Sequence, residues 1–378
     1  MNFHNIIEAI RIGIRRRKLT ISFILSIGTA MACVAGGGSV FAAAAPAAPK
    51  GLLANGVKSQ IVLSWEPVKG ADGYEIYEKG ENASFQKIRT TAACKVRLKG
   101  RKRGRDYTYR VRAYRLSSGK LRYGKWSKKS RTTLPKTGTT TLKNLLRTAV
   151  SPVGHTMYIW GGGWNKADTG TGADGRRVGL SPVWRSYALR QKSSYNYRKT
   201  RYKRGYGLDC SGFIGWTVFN VTHTKNGKNG SGYVTKARNM AGNFSKKGWG
   251  TYRKASQVKN YRPGDIMSSF GHVYIVVGAC SDKSVVLVHA SPPGVQICGT
   301  ATPSGKKESK AVKLARATMK KYFPSWYRRY PKCYRDRTYL KKYHQFRWKL
   351  SGNSLMKDPE GLRYQGPQAI LKEILEFE

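Results

Sequence analysis

Cys210 is the first residue whose type and position predict chemistry. It follows Asp209 and precedes an apolar run in which Ile214, Val218 and Val221 share one helical face. The pattern predicts a helix with Cys210 in its first turn and Asp209 near the N-cap. A helix N-terminus carries partial positive charge and free N–H groups, which favour thiolate over thiol. We therefore expect the pKa of Cys210 to lie below the usual value of about 8.5, as a nucleophile requires.

Two histidines follow on predicted strands. His272 stands directly before the β-branched run 273–278, and His289 lies in the run 284–291. A histidine at the start of a strand can reach a neighbouring helix N-terminus, where it would take the thiol proton of Cys210. His289 would then hydrogen-bond the other ring nitrogen of His272 and fix its orientation. Taken singly, each of the three residues is more often structural than catalytic.

Four motifs in a fixed order resemble the NlpC family of cell-wall cysteine peptidases. The resemblance covers about residues 150–300 and implies a compact α+β papain-like (NlpC-type) domain. The motifs are Tyr158-Ile-Trp-Gly-Gly162, Asp209-Cys-Ser-Gly-Phe213, Gly264-Asp265 before Gly271-His272-Val273, and His289-Ala-Ser291 before Gly294-Val295.

The resemblance also implies a role for each matching position. Cys210 would be the nucleophile, His272 the general base and then the acid, and His289 the residue that orients His272. The backbone N–H of Cys210 would help to hold the oxyanion. Members of this family cut peptidoglycan stem peptides through a thioester, often after γ-linked D-glutamate. The positions that line the substrate pocket would be Tyr158, Asp209 and Ser211.

The stretch 164–206 is longer than the corresponding family connection. It contains the segment 168–175, with two aspartates among glycines, and the basic run 198–204. A single copy with two carboxylates is weak support for a calcium loop, so we expect no metal and no other cofactor. We expect the insertion to form a wall of the cleft and to alter the choice of substrate.

Residues 46–134 have the pattern of an all-β domain. In the run 107–113, Tyr107, Tyr109 and Val111 alternate with polar residues, and turn signals at 69–70, 79–80 and 118–119 separate such runs. Trp65 and the segment 104–113 resemble the core tryptophan and the tyrosine corner of a fibronectin type III module. The resemblance implies a sandwich that serves spacing or adhesion rather than catalysis.

The remaining segments complete the predicted organisation. Residues 1–45 have a basic start, an apolar stretch and a small-residue end, which predict a secretory signal peptide. An uncleaved signal anchor is the alternative, and it would be the only membrane attachment. Residues 135–147 are predicted to be a linker and 148–350 the peptidase domain. A predicted helix over 309–322 lies in that domain, and the C-terminal extension 351–378 ends in an amphipathic helix, either docked or free.

The charge of the chain predicts an anionic partner. The 378 residues include 71 Lys+Arg and 19 Asp+Glu, a net charge of +52. Without residues 1–45, 66 basic and 18 acidic residues remain, a net charge of +48, so the basicity belongs to the exported product. Anionic cell-wall polymers are then the expected partners, rather than a specific nucleic acid. The five cysteines after residue 45 are too few for a disulfide-built scaffold, although a Cys280–Cys298 bridge is open.

Two other functions remain open at this stage. A related amidase would also pair a cysteine with a histidine, but its third residue is usually acidic or asparagine rather than His289. A non-catalytic wall-binding protein would rely on charge and the fibronectin-like domain, and it would not need Cys210, His272 and His289 together. The sequence thus favours a secreted, wall-associated cysteine peptidase of bacterial type.

Overall fold

The computed structural model describes residues 44–57, 60–134, 139–164, 174–201, 203–222 and 233–376. The predicted signal segment, apart from residues 44 and 45, lies outside these ranges, as does most of the candidate calcium segment 168–175. Within the described ranges, no helix is long and apolar enough to cross a membrane.

The first part is a β-sandwich of two antiparallel sheets. One sheet has the order β1-β2-β5, and the other has the order β4-β3-β6-β7, with β8 also paired to β6. The strands are β1 (Leu53–Val57), β2 (Gln60–Ser64), β3 (Gly73–Lys79), β4 (Gln86–Thr91), β5 (Lys95–Leu98), β6 (Asp106–Ser117), β7 (Lys120–Tyr123) and β8 (Ser130–Thr133).

The predicted alternation of β6 is confirmed, and it builds the core of the sandwich. Tyr109 and Val111 are buried against Trp65, the expected core tryptophan, because successive side chains of a strand point to opposite faces. The hydroxyl of Tyr107 accepts a hydrogen bond from the main-chain N–H of Lys102 at 2.8 Å. This contact to the backbone five residues upstream is the predicted tyrosine corner.

The second part combines helices with one large, mostly antiparallel sheet. The sheet has the order β10-β9-β15-β14-β13-β12-β17-β11, and β16 pairs in parallel with β15. Its strands are β9 (Met157–Tyr158), β10 (Gly207–Leu208), β11 (Gly250–Arg253), β12 (Ile266–Ser268), β13 (Val273–Ala279), β14 (Val285–Ser291), β15 (Gly294–Thr300), β16 (Tyr334–Arg335) and β17 (His344–Trp348). The helices are α1 (Leu142–Val150), α2 (Pro182–Leu189), α3 (Cys210–Thr222), α4 (Met240–Lys246), α5 (Lys310–Tyr322), α6 (Pro324–Arg329), α7 (Thr338–Lys341) and α8 (Pro367–Leu375). Short 3-10 helices occur at Tyr197–Thr200, Arg204–Tyr206, Ala237–Asn239, Ala255–Gln257 and Leu362–Tyr364.

The central strands are buried on both faces. On β14, Val286 and Val288 join the main core with α1 and α3, whereas Val285 and Leu287 join a smaller cluster with Tyr343. Strands covered on both sides are rich in β-branched residues and lack polar alternation. His289 shares the face of Leu287, because alternate residues of a strand point to the same side. This face is covered by the segment around α7, which lies beyond the 150–300 region of the family resemblance.

The helices at the C-terminal end follow local sequence signals. The predicted helix over 309–322 is confirmed as α5, and the side chain of Ser309 caps it by accepting from the N–H of Val312. The amphipathic helix near the C-terminus is α8, whose Ile370 and Ile374 are buried in the main core. The C-terminal extension is therefore docked. Helix α1 begins at Leu142, inside the segment predicted to be a linker.

Candidate active site

Cys210 is the first residue of α3, as predicted, and its side chain is only 7% exposed. Asp209 caps this helix: its Oδ1 accepts hydrogen bonds from the N–H of Gly212 at 2.6 Å and from the hydroxyl of Ser211 at 2.8 Å. Its other oxygen accepts from the N–H of Gly161 at 3.2 Å. The carboxylate thus joins the turn after β9 to the start of α3 and fixes the position of the thiol.

The expected direction of the Cys210 pKa shift is wrong. Burial, and to a smaller extent the neighbouring Asp209 carboxylate, raise the pKa of this thiol to about 12. The N–H groups of Ser211, Val273 and Cys210 itself lower it by less. Desolvation outweighs the helix N-terminus because the buried thiolate loses its hydration, whereas the helix offers only partial charges. Cys210 is therefore a neutral thiol in the resting protein.

His272 lies immediately before β13, in the position predicted for it. The N–H of the next residue, Val273, is near enough to the sulfur of Cys210 to lower the pKa of the thiol, so the start of β13 lies beside the start of α3. The carbonyl oxygen of His272 accepts from the N–H of Ser269 at 2.8 Å, which closes the turn before the strand. Burial and the positive charge of Arg335 lower the pKa of His272 to about 3.

His289 contacts His272 as the sequence predicts. Nε2 of His272 lies 2.8 Å from Nδ1 of His289, and the two rings meet edge to face. His289 is fully buried, and burial, Arg335 and His272 hold its pKa well below the usual value. Both imidazoles are therefore neutral at neutral pH. Nδ1 of His272 is therefore the ring nitrogen that His289 does not contact, and it is the one left for the expected exchange of a proton with Cys210.

Arg335 is a member of this cluster that the sequence analysis missed. Its Nε and Nη2 lie 3.2 and 3.0 Å from Nε2 of His289. Arg335 is on β16, 46 residues beyond His289, and no motif marks it. The only available signal was the length of the chain beyond the family-like region. Tyr339 and Tyr343, from the same segment, place their rings 5.7 and 6.4 Å from that of His272.

The three predicted substrate-binding residues differ in what they can do. Tyr158 lies on β9 with its side chain almost buried, and its pKa is raised by burial and by the nearby Cys210. Asp209 and Ser211 bind protein groups instead: besides its bond to Asp209, Ser211 Oγ accepts from the indole N–H of Trp164 at 3.0 Å. These two side chains thus hold the local structure together behind the thiol.

The glycines of the two motifs allow this close contact. A Cβ on Gly212 would overlap the carbonyl oxygen of Gly162, and one on Gly163 would come within 2.5 Å of Gly212 Cα. Gly163 also has a φ of +93°, which residues with a side chain rarely adopt. The turn after β9 therefore packs directly on the first turn of α3.

The insertion 164–206 reaches the site through two tyrosines. The hydroxyl of Tyr195 donates to the carbonyl oxygen of Tyr158 at 2.7 Å. The ring of Tyr197 meets that of Tyr158 edge to face at 5.4 Å. The described part of the insertion therefore lies against the site. Among the described residues, no group of three or more His, Cys, Asp or Glu could hold a metal ion.

The cysteines away from the site are free thiols. Cys94, Cys280, Cys298 and Cys333 form no disulfide in the structure, so the open Cys280–Cys298 bridge is not formed. Strand β14 lies between the two strands concerned, with Leu287 opposite Cys298, which separates these thiols. The described cysteines give no covalent support to the site.

Comparison with solved structures finds fibronectin type III-like domains. The structure of FN3tt mut is 21% identical, covers 23% of this chain and 94% of its own, and has a TM-score of 0.21. An Fn3-like protein from Clostridium thermocellum is 26% identical, covers 25% of this chain and 97% of its own, and has a TM-score of 0.21. At these scores the sandwich assignment rests on the strand pairing described above. No protein-family model matches the chain, and no curated protein matches it.

Proposed function

We propose that this chain is a secreted cysteine peptidase of the NlpC type, with a papain-like catalytic domain, that cleaves amide bonds in peptidoglycan stem peptides. The observation that carries the proposal is the contact of 2.8 Å between His272 and His289, with Cys210 at the start of α3, a helix that packs on β13 and β14. A cysteine nucleophile, a histidine base and a group that orients the base are what acyl transfer needs.

The chemistry assigned to these residues is acyl transfer in two steps. The sulfur of Cys210, once its proton has passed to His272, attacks the carbonyl carbon of the scissile amide. The C–N bond breaks, His272 returns the proton to the leaving amine, and a thioester remains on Cys210. Water then attacks the thioester, and the sulfur leaves with a proton from His272. The N–H of Cys210, at the free end of α3, is a donor for the oxyanion of both steps.

Substrate contacts would come from exposed aromatic groups beside the site. Trp160 is 59% exposed two residues after Tyr158, and Phe270 is 82% exposed two residues before His272. Arg238 lies over the ring of Phe270 at 5.1 Å, which adds a positive charge beside it. Carboxylate-bearing stem peptides fit such a surface. Asp209 and Ser211 support the substrate site indirectly, because their polar atoms are engaged within the protein.

The charge of the chain supports a location in the cell wall. A net charge of +48 outside the predicted signal segment would hold the enzyme to anionic wall polymers by many weak contacts. On the sandwich, Arg110 lies 4.0 Å from the ring centroid of Trp126, and Arg112 lies 3.8 Å from that of Tyr123. Arg112 is also paired with the carboxylate of Glu75 at 2.7 Å, so these stacked groups stabilise the sandwich, and the surplus of basic residues is what supports a wall-binding role.

Digestion of purified peptidoglycan tests the proposal. The chain without residues 1–45 is compared with Cys210→Ala and with Cys280→Ala, a matched control that removes another thiol of the same domain. Mass spectrometry should find cut stem peptides with the wild type and Cys280→Ala, and none with Cys210→Ala. Intact stem peptides released from the glycan would instead show an amidase. Inactivity of all three proteins, with tight sedimentation onto walls, would favour an adhesive wall protein.

A further inference from the structure

Arg335 determines which nitrogen of His289 carries the proton. Its Nε and Nη2 both point at Nε2 of His289, at 3.2 and 3.0 Å. A guanidinium has five N–H donors and no acceptor, so Nε2 of His289 must accept with its lone pair. His289 is neutral, and its single ring proton therefore lies on Nδ1.

The proton on His289 in turn determines the state of His272. Nδ1 of His289 lies 2.8 Å from Nε2 of His272, and as the protonated nitrogen it donates there. Nε2 of His272 is then the acceptor, and the proton of this neutral imidazole lies on Nδ1. Both ring nitrogens of His272 are then engaged, Nε2 as an acceptor and Nδ1 as the bearer of the proton. His272 therefore has no free lone pair with which to take the proton of the Cys210 thiol.

We propose that Arg335 is a positioning residue that sets the tautomers of His289 and His272 and withholds the general base from Cys210 while it contacts His289. The inference rests on the proposed function for its consequence in catalysis, but the tautomers themselves follow from the hydrogen bonds alone. In the active arrangement, Arg335 leaves Nε2 of His289, which takes a proton there. His289 then accepts from Nε2–H of His272, and Nδ1 of His272 becomes free to act as the base.

The protons balance between the two arrangements. In the resting state the protons are on the sulfur of Cys210, Nδ1 of His272 and Nδ1 of His289. In the active state, before the thiol is deprotonated, they are on the sulfur, Nε2 of His272 and Nε2 of His289. Each imidazole exchanges one ring proton with water, with no net uptake or release. No oxidant, metal or further group is required.

Among the residues that the structure describes, Arg335 is the cation that shifts the pKa of both histidines. Burial and neighbouring groups raise the pKa values of the other titratable groups that face the cluster. The phenols and thiols among them therefore stay neutral at neutral pH, and Asp209 binds the first turn of α3 rather than a histidine. These groups are Cys210 on α3, Cys298 on β15, Tyr339 on α7, Tyr343 after α7, and Asp209 before α3.

The contacts of Arg335 support the assignment. The residue is half-buried, its Nη1 donates to the carbonyl oxygen of Tyr334 at 3.1 Å, and no carboxylate of the described residues forms an ion pair with it. The positive charge also contributes to the lowered pKa of His272, the second cause after burial. A cation in this position therefore opposes the imidazolium form of His272, which a thiolate–imidazolium pair needs.

Nitrogen NMR of the full chain tests the tautomers without any substrate. Long-range ¹⁵N–¹H spectra distinguish a ring nitrogen that bears a proton from one that does not, and the His272→Gln and His289→Gln variants assign the signals. The wild type should show both histidines protonated on Nδ1. Arg335→Gln keeps an N–H donor without the charge and should retain this pattern, whereas Arg335→Met should move the proton of His289 to Nε2. Protonation of His289 on Nε2 in the wild type would overturn the proposal.

Alkylation of Cys210 tests the consequence for the base. The rate of modification by iodoacetamide at neutral pH, read by mass spectrometry, should be about tenfold higher in Arg335→Met than in the wild type, because His272 can then accept the thiol proton. Arg335→Gln keeps an N–H donor but removes the charge, so its rate should lie between those of the wild type and Arg335→Met. An equal or lower rate in a folded Arg335→Met would overturn the proposal. Neither the NMR nor the alkylation experiment uses peptidoglycan. If both give the expected results but peptidoglycan is not digested, the proposed function is rejected and the proposal for Arg335 stands.

Discussion

The main-chain N–H of Val273, the first residue of β13, lies near the sulfur of Cys210, the first residue of α3, and lowers the pKa of its thiol. The start of the strand that follows His272 therefore lies beside the start of this helix. Burial has the larger effect, and the net shift of the thiol pKa is upward.

Replacing Asp209 by asparagine should make Cys210 more reactive. The carboxylate raises the pKa of this thiol, and asparagine removes the charge while keeping an oxygen for the N–H of Gly212. We expect the alkylation rate at neutral pH to rise about threefold. We also expect the free energy of unfolding to fall by about 1 kcal/mol, because the contact with the N–H of Gly161 is lost.

Ser211→Ala is the matched control for that change. It removes a hydroxyl that donates to the same carboxylate but leaves the charge of Asp209 in place. Its alkylation rate should stay within a factor of about two of the wild type. A rate in Asp209→Asn at or below the wild-type value would show that Asp209 does not restrain the thiol.

Asp265 should be important for stability rather than for the reaction. Its two oxygens accept from Nε and Nη2 of Arg347 at 2.9 and 2.7 Å, and Gln345 donates to it at 2.9 Å. The carboxylate is almost fully buried, so Asp265→Ala would leave the charge of Arg347 unpaired and would leave Arg347 and Gln345 with only their contacts to Asn260. We expect a loss of about 3–5 kcal/mol in urea unfolding, and a smaller loss for Asp265→Asn, which keeps one acceptor. A loss below about 1 kcal/mol for alanine would contradict this assignment.

Acid should destabilise the fold through buried neutral histidines. Burial, Arg185 and Arg329 hold the pKa of His155 well below 6.5, so its contact with Glu66 at 3.3 Å is not an ion pair at neutral pH. A lowered folded-state pKa means that the unfolded chain binds the proton first, and stability falls as the pH drops below about 6.5. His272 and His289 act in the same direction.

His155→Gln isolates one of these contributions. Between about pH 6.5 and pH 5, the variant should lose about 2 kcal/mol less unfolding free energy than the wild type, since each protonation costs about 1.4 kcal/mol per pH unit. The pKa of Asp209 is raised to about 6, so its protonation favours the folded state as the pH falls. This effect is the same in the wild type and in the variant, so it cancels in the comparison. Parallel pH dependences of the two proteins would mean that His155 is protonated in the folded state.

Binding to cell walls should depend steeply on salt. With 71 basic and 19 acidic residues, most contacts to an anionic polymer are exposed charge pairs that salt screens. Sedimentation with purified walls should weaken by about tenfold or more when the ionic strength rises from about 0.05 to 0.5 M. Walls stripped of their anionic polymers should bind less, and Cys210→Ala should bind like the wild type. Binding that is insensitive to salt would exclude a charge-based mechanism.

The amino-acid sequence was sufficient to predict those structural features that depend on residues close together in the chain. The cap at Asp209 and the apolar run after it predicted a helix that starts at Cys210. Ser309 directly before α5 and Pro324 shortly after it mark the two ends of that helix. The alternation in β6 and the position of Tyr107 predicted the buried face and the tyrosine corner of the sandwich. Each of these features depends on residues a few positions apart, whose geometry the backbone fixes by itself.

Tertiary structure decided the properties that depend on burial and on distant contacts. The local helix N-terminus predicted a lowered pKa for Cys210, but the surrounding core removes water from the thiol and raises it. Asp209 and Ser211 were expected to face substrate, and the turn after β9 occupies them instead. Arg335 reaches His289 only because β16 pairs with β15, next to β14, across 46 residues of chain. Desolvation and contacts across a sheet depend on the whole fold, so no short pattern of residues could have revealed them.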